Sequence, residues 1–109
     1  MWPFKAKFEP LFIGKFQLEN LLRNEVPFKF FNLCEDELSD EQKQGVLCRA
    51  EKLSLEAIIE LEEKGELVKE SPIILICKNG KVSAKLAQQL DRKGFINTYV
   101  VEAGFKGII

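Results

Sequence analysis

The stretch Pro72-Ile73-Ile74-Leu75-Ile76-Cys77-Lys78-Asn79-Gly80-Lys81-Val82-Ser83 decides how this chain is read. Pro72 is followed by four aliphatic residues with no polar break. A short continuous apolar run of this kind marks a strand covered on both faces, as in a parallel sheet. Cys77 ends the run, a short loop centred on Gly80 follows, and an amphipathic helix is expected from about Ser83 to Lys93. Its buried side is Ala84, Leu86, Ala87 and Leu90, and Gly94 ends it. A last strand follows at Thr98 to Val101, and Ala103 to Gly107 read as a loop.

Upstream, Ser54 is a good N-cap for a helix running to about Lys64, with Leu55, Ile58, Ile59 and Leu61 as its apolar stripe. Gly65 stands where such a helix stops in a left-handed turn. Phe28 to Leu33 reads as a strongly apolar strand, Val46 to Cys48 as a short strand, and Gln17 to Arg23 as a short helix. Glu35, Asp36, Glu37, Asp40 and Glu41 form an acidic, solvated stretch. Seven of the nine phenylalanines fall at or before Phe31. Phe4, Phe8, Phe12 and Phe16 recur every four residues. Pro3, Pro10 and Gly14 argue against one helix there, so residues 1–16 read as an extended, Phe-rich N-terminal extension with a short strand at Leu11 to Ile13. These rings are expected to cover the edge of the core; exposed, they would pair subunits into a homodimer.

Strands that alternate with helices define an α/β domain of three layers with a mainly parallel sheet. The 109 residues are enough for a single domain, residues 1–109. Composition narrows the function. Sixteen Lys and Arg against seventeen Asp and Glu leave no basic excess, which argues against nucleic acid as a partner. No apolar run approaches the length of a membrane span. There is no histidine, so neither a Ser-His-Asp triad nor a zinc site with imidazole ligands is available. Cys34, Cys48 and Cys77 are odd in number and irregular in spacing, with no CxxC pair. That fits free thiols in the cytoplasm rather than a disulfide framework or a thiolate metal site.

Chemistry is expected beyond the carboxyl end of the buried strand, where sites form in open parallel sheets. Backbone N–H groups in the loop from Lys78 to Ser83 can converge as an anion nest, and the helix that follows adds its positive dipole end. No acidic residue lies between Ser71 and Leu90, whereas Lys78, Lys81 and Lys85 are all basic. A thiol in that field loses its proton more easily and becomes a nucleophile with no histidine base. A cysteine at a strand end is also ordinary packing; the loop is what singles out Cys77. Two look-alike motifs fail. A Walker phosphate loop needs glycine where Leu75 stands. A Cys-x5-Arg phosphatase loop needs arginine where Ser83 stands.

The run from Ile73 to Ala84, then Leu86-Ala87, Leu90, Gly94-Phe95, Tyr99-Val100-Val101 and Gly104-Phe105, resembles the second half of a rhodanese-like domain. That family shows a strand, a Cys-x-x-Gly-x-x-Ser loop, a helix, a Gly-Phe turn, a strand and a Gly-Phe close. The resemblance implies a parallel five-stranded sheet. It also implies a sulfurtransferase in which Cys77 takes sulfane sulfur from a donor such as thiosulfate and passes it, as a persulfide, to a thiol or cyanide. Lys78, Asn79, Gly80, Lys81, Val82 and Ser83 would hold the donor and the persulfide. The implied partner is a small anionic sulfur donor or a persulfidic protein, and no metal or organic cofactor is implied. The first half departs from the pattern. Asn32-Leu33-Cys34 stands where the family carries Asp-x-Arg, and Gly45 to Ala50 replaces its Gly-His-Ile-Pro-Gly-Ala segment. Ile108 is near the place of a final Trp. If the family strand order holds, Cys34 shares the rim of the sheet with Cys77 and is a candidate resolving thiol. Two alternatives remain open: a rhodanese-like binding or regulatory module without turnover, and a thiol redox sensor using Cys34 and Cys77.

Overall fold

The structure, a computed structural model, describes residues 10–24, 27–34 and 46–107. The acidic stretch from Glu35 to Glu41, the rings of Phe4 and Phe8, Gly45 and Ile108 lie outside the described residues. Five strands form one parallel sheet: β1 (Leu11–Ile13), β2 (Lys29–Asn32), β3 (Glu51–Lys52), β4 (Ile73–Ile76) and β5 (Thr98–Val101), in the order β1-β5-β4-β2-β3. Among the described residues three α-helices accompany them: α1 (Lys15–Arg23), α2 (Leu55–Glu63) and α3 (Lys81–Arg92).

β4 lies in the centre because its sequence leaves it nowhere else to go. Ile73, Ile74, Leu75 and Ile76 are each at most 1% exposed. Four such side chains gain of order 10 kcal/mol from burial before the entropy of ordering is counted. Alternate residues feed opposite faces. Ile73, Leu75 and Cys77 join Phe31 and Leu33 under α2 and α3, through Ile58, Leu86, Ala87 and Leu90. Ile74 and Ile76 join Phe30 and Cys34 under α1, through Leu18, with Leu47 and Phe105. The three layers are therefore α2 and α3, the sheet, and α1 with the short helical turn Val46–Arg49.

Several boundaries differ from the sequence expectation, each for a local reason. Val46 to Cys48 is not a strand but part of a 3-10 turn, Val46–Arg49, closed by Ala50 N–H donating to Leu47 O at 3.1 Å. Leu47 is buried in the core, and Cys48 and Arg49 are exposed. The strand beside β2 is instead Glu51–Lys52, both exposed, so no hydrophobic pattern marks it. α1 starts at Lys15 rather than Gln17, because the Gln17 side chain reaches back to accept the Gly14 N–H at 2.8 Å. α3 starts at Lys81 rather than Ser83, with Gly80 ahead of it in the left-handed region. Ser54 does cap α2, its hydroxyl accepting the Ala57 N–H at 3.1 Å. Phe12 and Phe16 do not cover the core edge: they are 55% and 81% exposed. They sit on and just after the edge strand β1, whose outer side carries no further strand among the described residues. No helix among the described residues is long and apolar enough to cross a membrane.

Candidate active site

The order of strands creates one natural crevice. β2 and β4 are neighbours, but the described elements that follow them pack on opposite faces of the sheet. After β4 the chain enters α3 on one face; after β2 it reaches the Val46–Arg49 turn on the other. In open parallel sheets such a switch point opens a gap beyond the strand ends, and ligands bind there. A cleft of about 480 Å³ lies at this place, lined by Leu33, Cys34, Leu55, Glu56, Cys77, Lys78, Asn79, Val82 and Lys85.

Cys77 is the residue around which the cleft is organised. Its side chain is 3% exposed. Two backbone N–H groups donate to its Sγ: Gly80 at 3.1 Å and Ser83 at 3.4 Å. Gly80 has φ +85, which turns its amide back onto the sulfur and places the first turn of α3 beside it. Burial is the largest single influence on this thiol and opposes ionisation. The Ser83 hydroxyl, then the amides of Ser83, Asn79 and Gly80, together outweigh it, so the Cys77 pKa lies below the ordinary thiol value. Ser83 Oγ is itself fully buried and has no partner in hydrogen-bond geometry in the resting state. It favours the thiolate when its proton turns toward the sulfur.

The loop is pinned from outside. Phe105 N–H donates to the carbonyl oxygens of both Cys77 (3.2 Å) and Lys78 (3.3 Å). Gly104 makes this approach possible. Its φ is +60, and a Cβ there would lie 2.3 Å from Cys77 O and 2.7 Å from Lys78 O. The Gly104-Phe105 close therefore supports the active loop from behind, a role that spacing alone did not reveal; a glycine placed just after the last strand was its only signal.

Of the loop residues singled out from sequence, Cys77, Gly80 and Ser83 converge on the sulfur. Lys78, Asn79 and Val82 line the cleft. Lys81 does neither: its amide is taken by Asn79 Oδ1 at 3.0 Å and its side chain is exposed outside the cleft lining. Lys85, one helical turn further on, supplies cationic lining. The opposite wall, Leu33, Leu55 and Glu56, belongs to β2's end and the start of α2 and carried no sequence signal. Cys34 opens on the same cleft, as its rim position implied. Just before it, the buried Asn32 closes the end of β2 through its side chain, Oδ1 accepting the Cys34 N–H at 3.0 Å.

A cysteine sulfur held by amides between a parallel strand and a helix thus faces a switch-point cleft. A sequence model of the rhodanese-like domain matches residues 32–109, and the chain belongs to that family. Solved structures agree on the fold. A rhodanese-like domain protein from Staphylococcus aureus is 22% identical over 91% of each chain, with a TM-score of 0.68. The SSP1007 protein of Staphylococcus saprophyticus is 22% identical over 94% of each, TM-score 0.66. The single-domain sulfurtransferase RDL2 of Saccharomyces cerevisiae is 18% identical over 96% of this chain and 92% of its own, TM-score 0.57. No curated protein gives a significant match.

Proposed function

We propose that this protein is a sulfurtransferase in which Cys77 carries sulfane sulfur as a persulfide, working in the cytoplasm, where thiols stay reduced. The observation that carries this reading is the pair of amides, from Gly80 and Ser83, aimed at Cys77 Sγ. In the first step the Cys77 thiolate attacks the outer sulfur of thiosulfate. The S–S bond breaks, sulfite leaves with the bonding pair, and Cys77 keeps one sulfur as Cys77–S–S⁻. In the second step cyanide or a thiolate attacks that outer sulfur, and Cys77 leaves as the thiolate it was.

The loop serves both steps. Its amides are fixed donors, so they stabilise negative sulfur without reorganising. They hold the attacking thiolate first and the leaving thiolate last. Lys78 and Lys85 raise the local concentration of an anionic donor. The apolar wall of Leu33, Leu55 and Val82 suits a carbon-bearing thiol acceptor, small or on a partner protein.

Intact mass after incubation with thiosulfate tests the proposal. Wild type gains one sulfur, or releases it again as sulfide, with sulfite appearing in step; Cys77→Ala does neither. A binding module without turnover takes up no sulfur from any donor and releases no sulfite.

A further inference from the structure

Two thiols, Cys34 and Cys77, open on one cleft, just beyond the ends of neighbouring strands. β2 and β4 pair with Asn32 opposite Ile76, and Leu33 N–H extends the ladder by donating to Ile76 O at 2.8 Å. Leu33 thus stands level with Cys77, and Cys34 is one step further along. Continued regularly, the ladder would set residues one register step apart on adjacent strands with Cα atoms roughly 6 Å apart. A disulfide bridges Cα separations of about 4.4–6.8 Å. The two side chains start from opposite faces of the sheet, Cys77 with Leu33 and Cys34 with Ile76. The Cys34 N–H is taken by the Asn32 side chain at 3.0 Å, and Cys34 and Cys77 both line the cleft beyond the strand ends.

We propose that Cys34 is a second catalytic residue, which resolves the Cys77 persulfide internally and releases its sulfane sulfur as hydrosulfide. This rests on the sulfurtransferase reading above. Cys34 Sγ attacks Cys77 Sγ, the inner sulfur. The Gly80 and Ser83 amides draw charge from that atom, while the outer sulfur carries the negative charge and repels a nucleophile. A Cys34–Cys77 bond forms and the Cys77 Sγ–S bond breaks. The leaving sulfur takes the electron pair, receives the Cys34 proton and departs as HS⁻. Two equivalents of an external thiol then reduce the disulfide and are themselves oxidised to a disulfide. The cycle converts thiosulfate and two thiols to sulfite, hydrogen sulfide and one external disulfide, so the chain is a sulfide-releasing enzyme as well as a carrier.

A single-turnover experiment on the full chain decides this. Protein is mixed with thiosulfate, no other thiol being present; sulfite and sulfide are measured, and the products are mapped by peptide mass. Wild type is expected to release both and to end with a Cys34–Cys77 disulfide. Cys34→Ser is expected to release sulfite and keep the extra sulfur on Cys77. With external thiol present, its sulfide release falls at least about tenfold, because a bimolecular attack replaces an intramolecular one. Wild type that releases sulfite but retains the sulfur on Cys77, with Cys34 still a thiol, overturns the role of Cys34 and leaves the transfer reading standing. Sulfite release from neither form overturns both. Should Cys34→Ser not fold, Cys34→Ala replaces it, and the wild-type disulfide map decides without any variant.

Discussion

The ends of β4 and β2 lie side by side on one rim of the sheet, and a cysteine follows each, yet they are built differently. After β4 the chain is bent so that main-chain amides face the sulfur, from Gly80 and Ser83. A second backbone segment, Gly104-Phe105, buttresses that bend. After β2 the turn is closed by a side chain, Asn32, and its hydrogen bond goes to the Cys34 amide rather than to the sulfur. A place on the rim gives a thiol access to the cleft. Convergent amides lower the pKa of the Cys77 thiol.

The sharpest break of this contrast is Cys77→Ala. Sulfur transfer from thiosulfate to cyanide should fall to background in a steady-state assay, whereas Cys48→Ala, on the exposed turn, should leave it unchanged. The same variant carries a stability signature. The Cys77 thiol ionises at lower pH folded than unfolded. Its contribution is therefore full above the unfolded thiol value and is lost as pH falls through the lowered folded one. The stability difference between wild type and Cys77→Ala, from urea melts across that window, should grow with pH.

Next in size is Gly104→Ala, which attacks the buttress and not the sulfur. A side chain at its positive φ costs about 1–3 kcal/mol, and the new Cβ would also meet Cys77 O at 2.3 Å. Displacing the loop carbonyls shifts the amides, so transfer should drop by about 10²-fold or more, the scale for losing a preorganised donor. Chemical denaturation together with the transfer assay separates the two effects.

At the β2 end the expected effect is on stability. Asn32→Ala leaves the buried Cys34 N–H without its acceptor and should cost about 1–3 kcal/mol in a denaturant melt, while Asn32→Asp, which keeps an acceptor oxygen, should retain the turn. The smallest effect is that of Lys85→Ala. Its exposed ammonium attracts the donor only through screened solvent, so KM for thiosulfate should rise a few-fold with kcat little changed. The difference should fade at high salt.

The same contrast explains what the sequence revealed. β4, β5 and the cores of the three helices were legible because burial on both faces, or on one helical stripe, leaves a hydrophobic pattern. Cys77 was legible because glycine and lysines follow a strand end. β3 was not: two exposed residues, Glu51 and Lys52, pair through backbone alone. The apolar triplet before it drew the expectation of a strand onto what is a 3-10 turn. Lys81 read as a site residue because it is basic and adjacent, but Asn79 caps its amide and the helix carries its side chain away. The far wall of the cleft, Leu33, Leu55 and Glu56, is assembled from two separate elements, and no local spacing announces it.

One titration probes the lowered pKa of Cys77 most directly. The thiolate absorbance of wild type minus that of Cys77→Ala, followed against pH, isolates Cys77. A midpoint below that of an ordinary thiol is the predicted result. A midpoint at or above the ordinary value would mean that burial prevails over the loop amides, and it would contradict the account of how this site works.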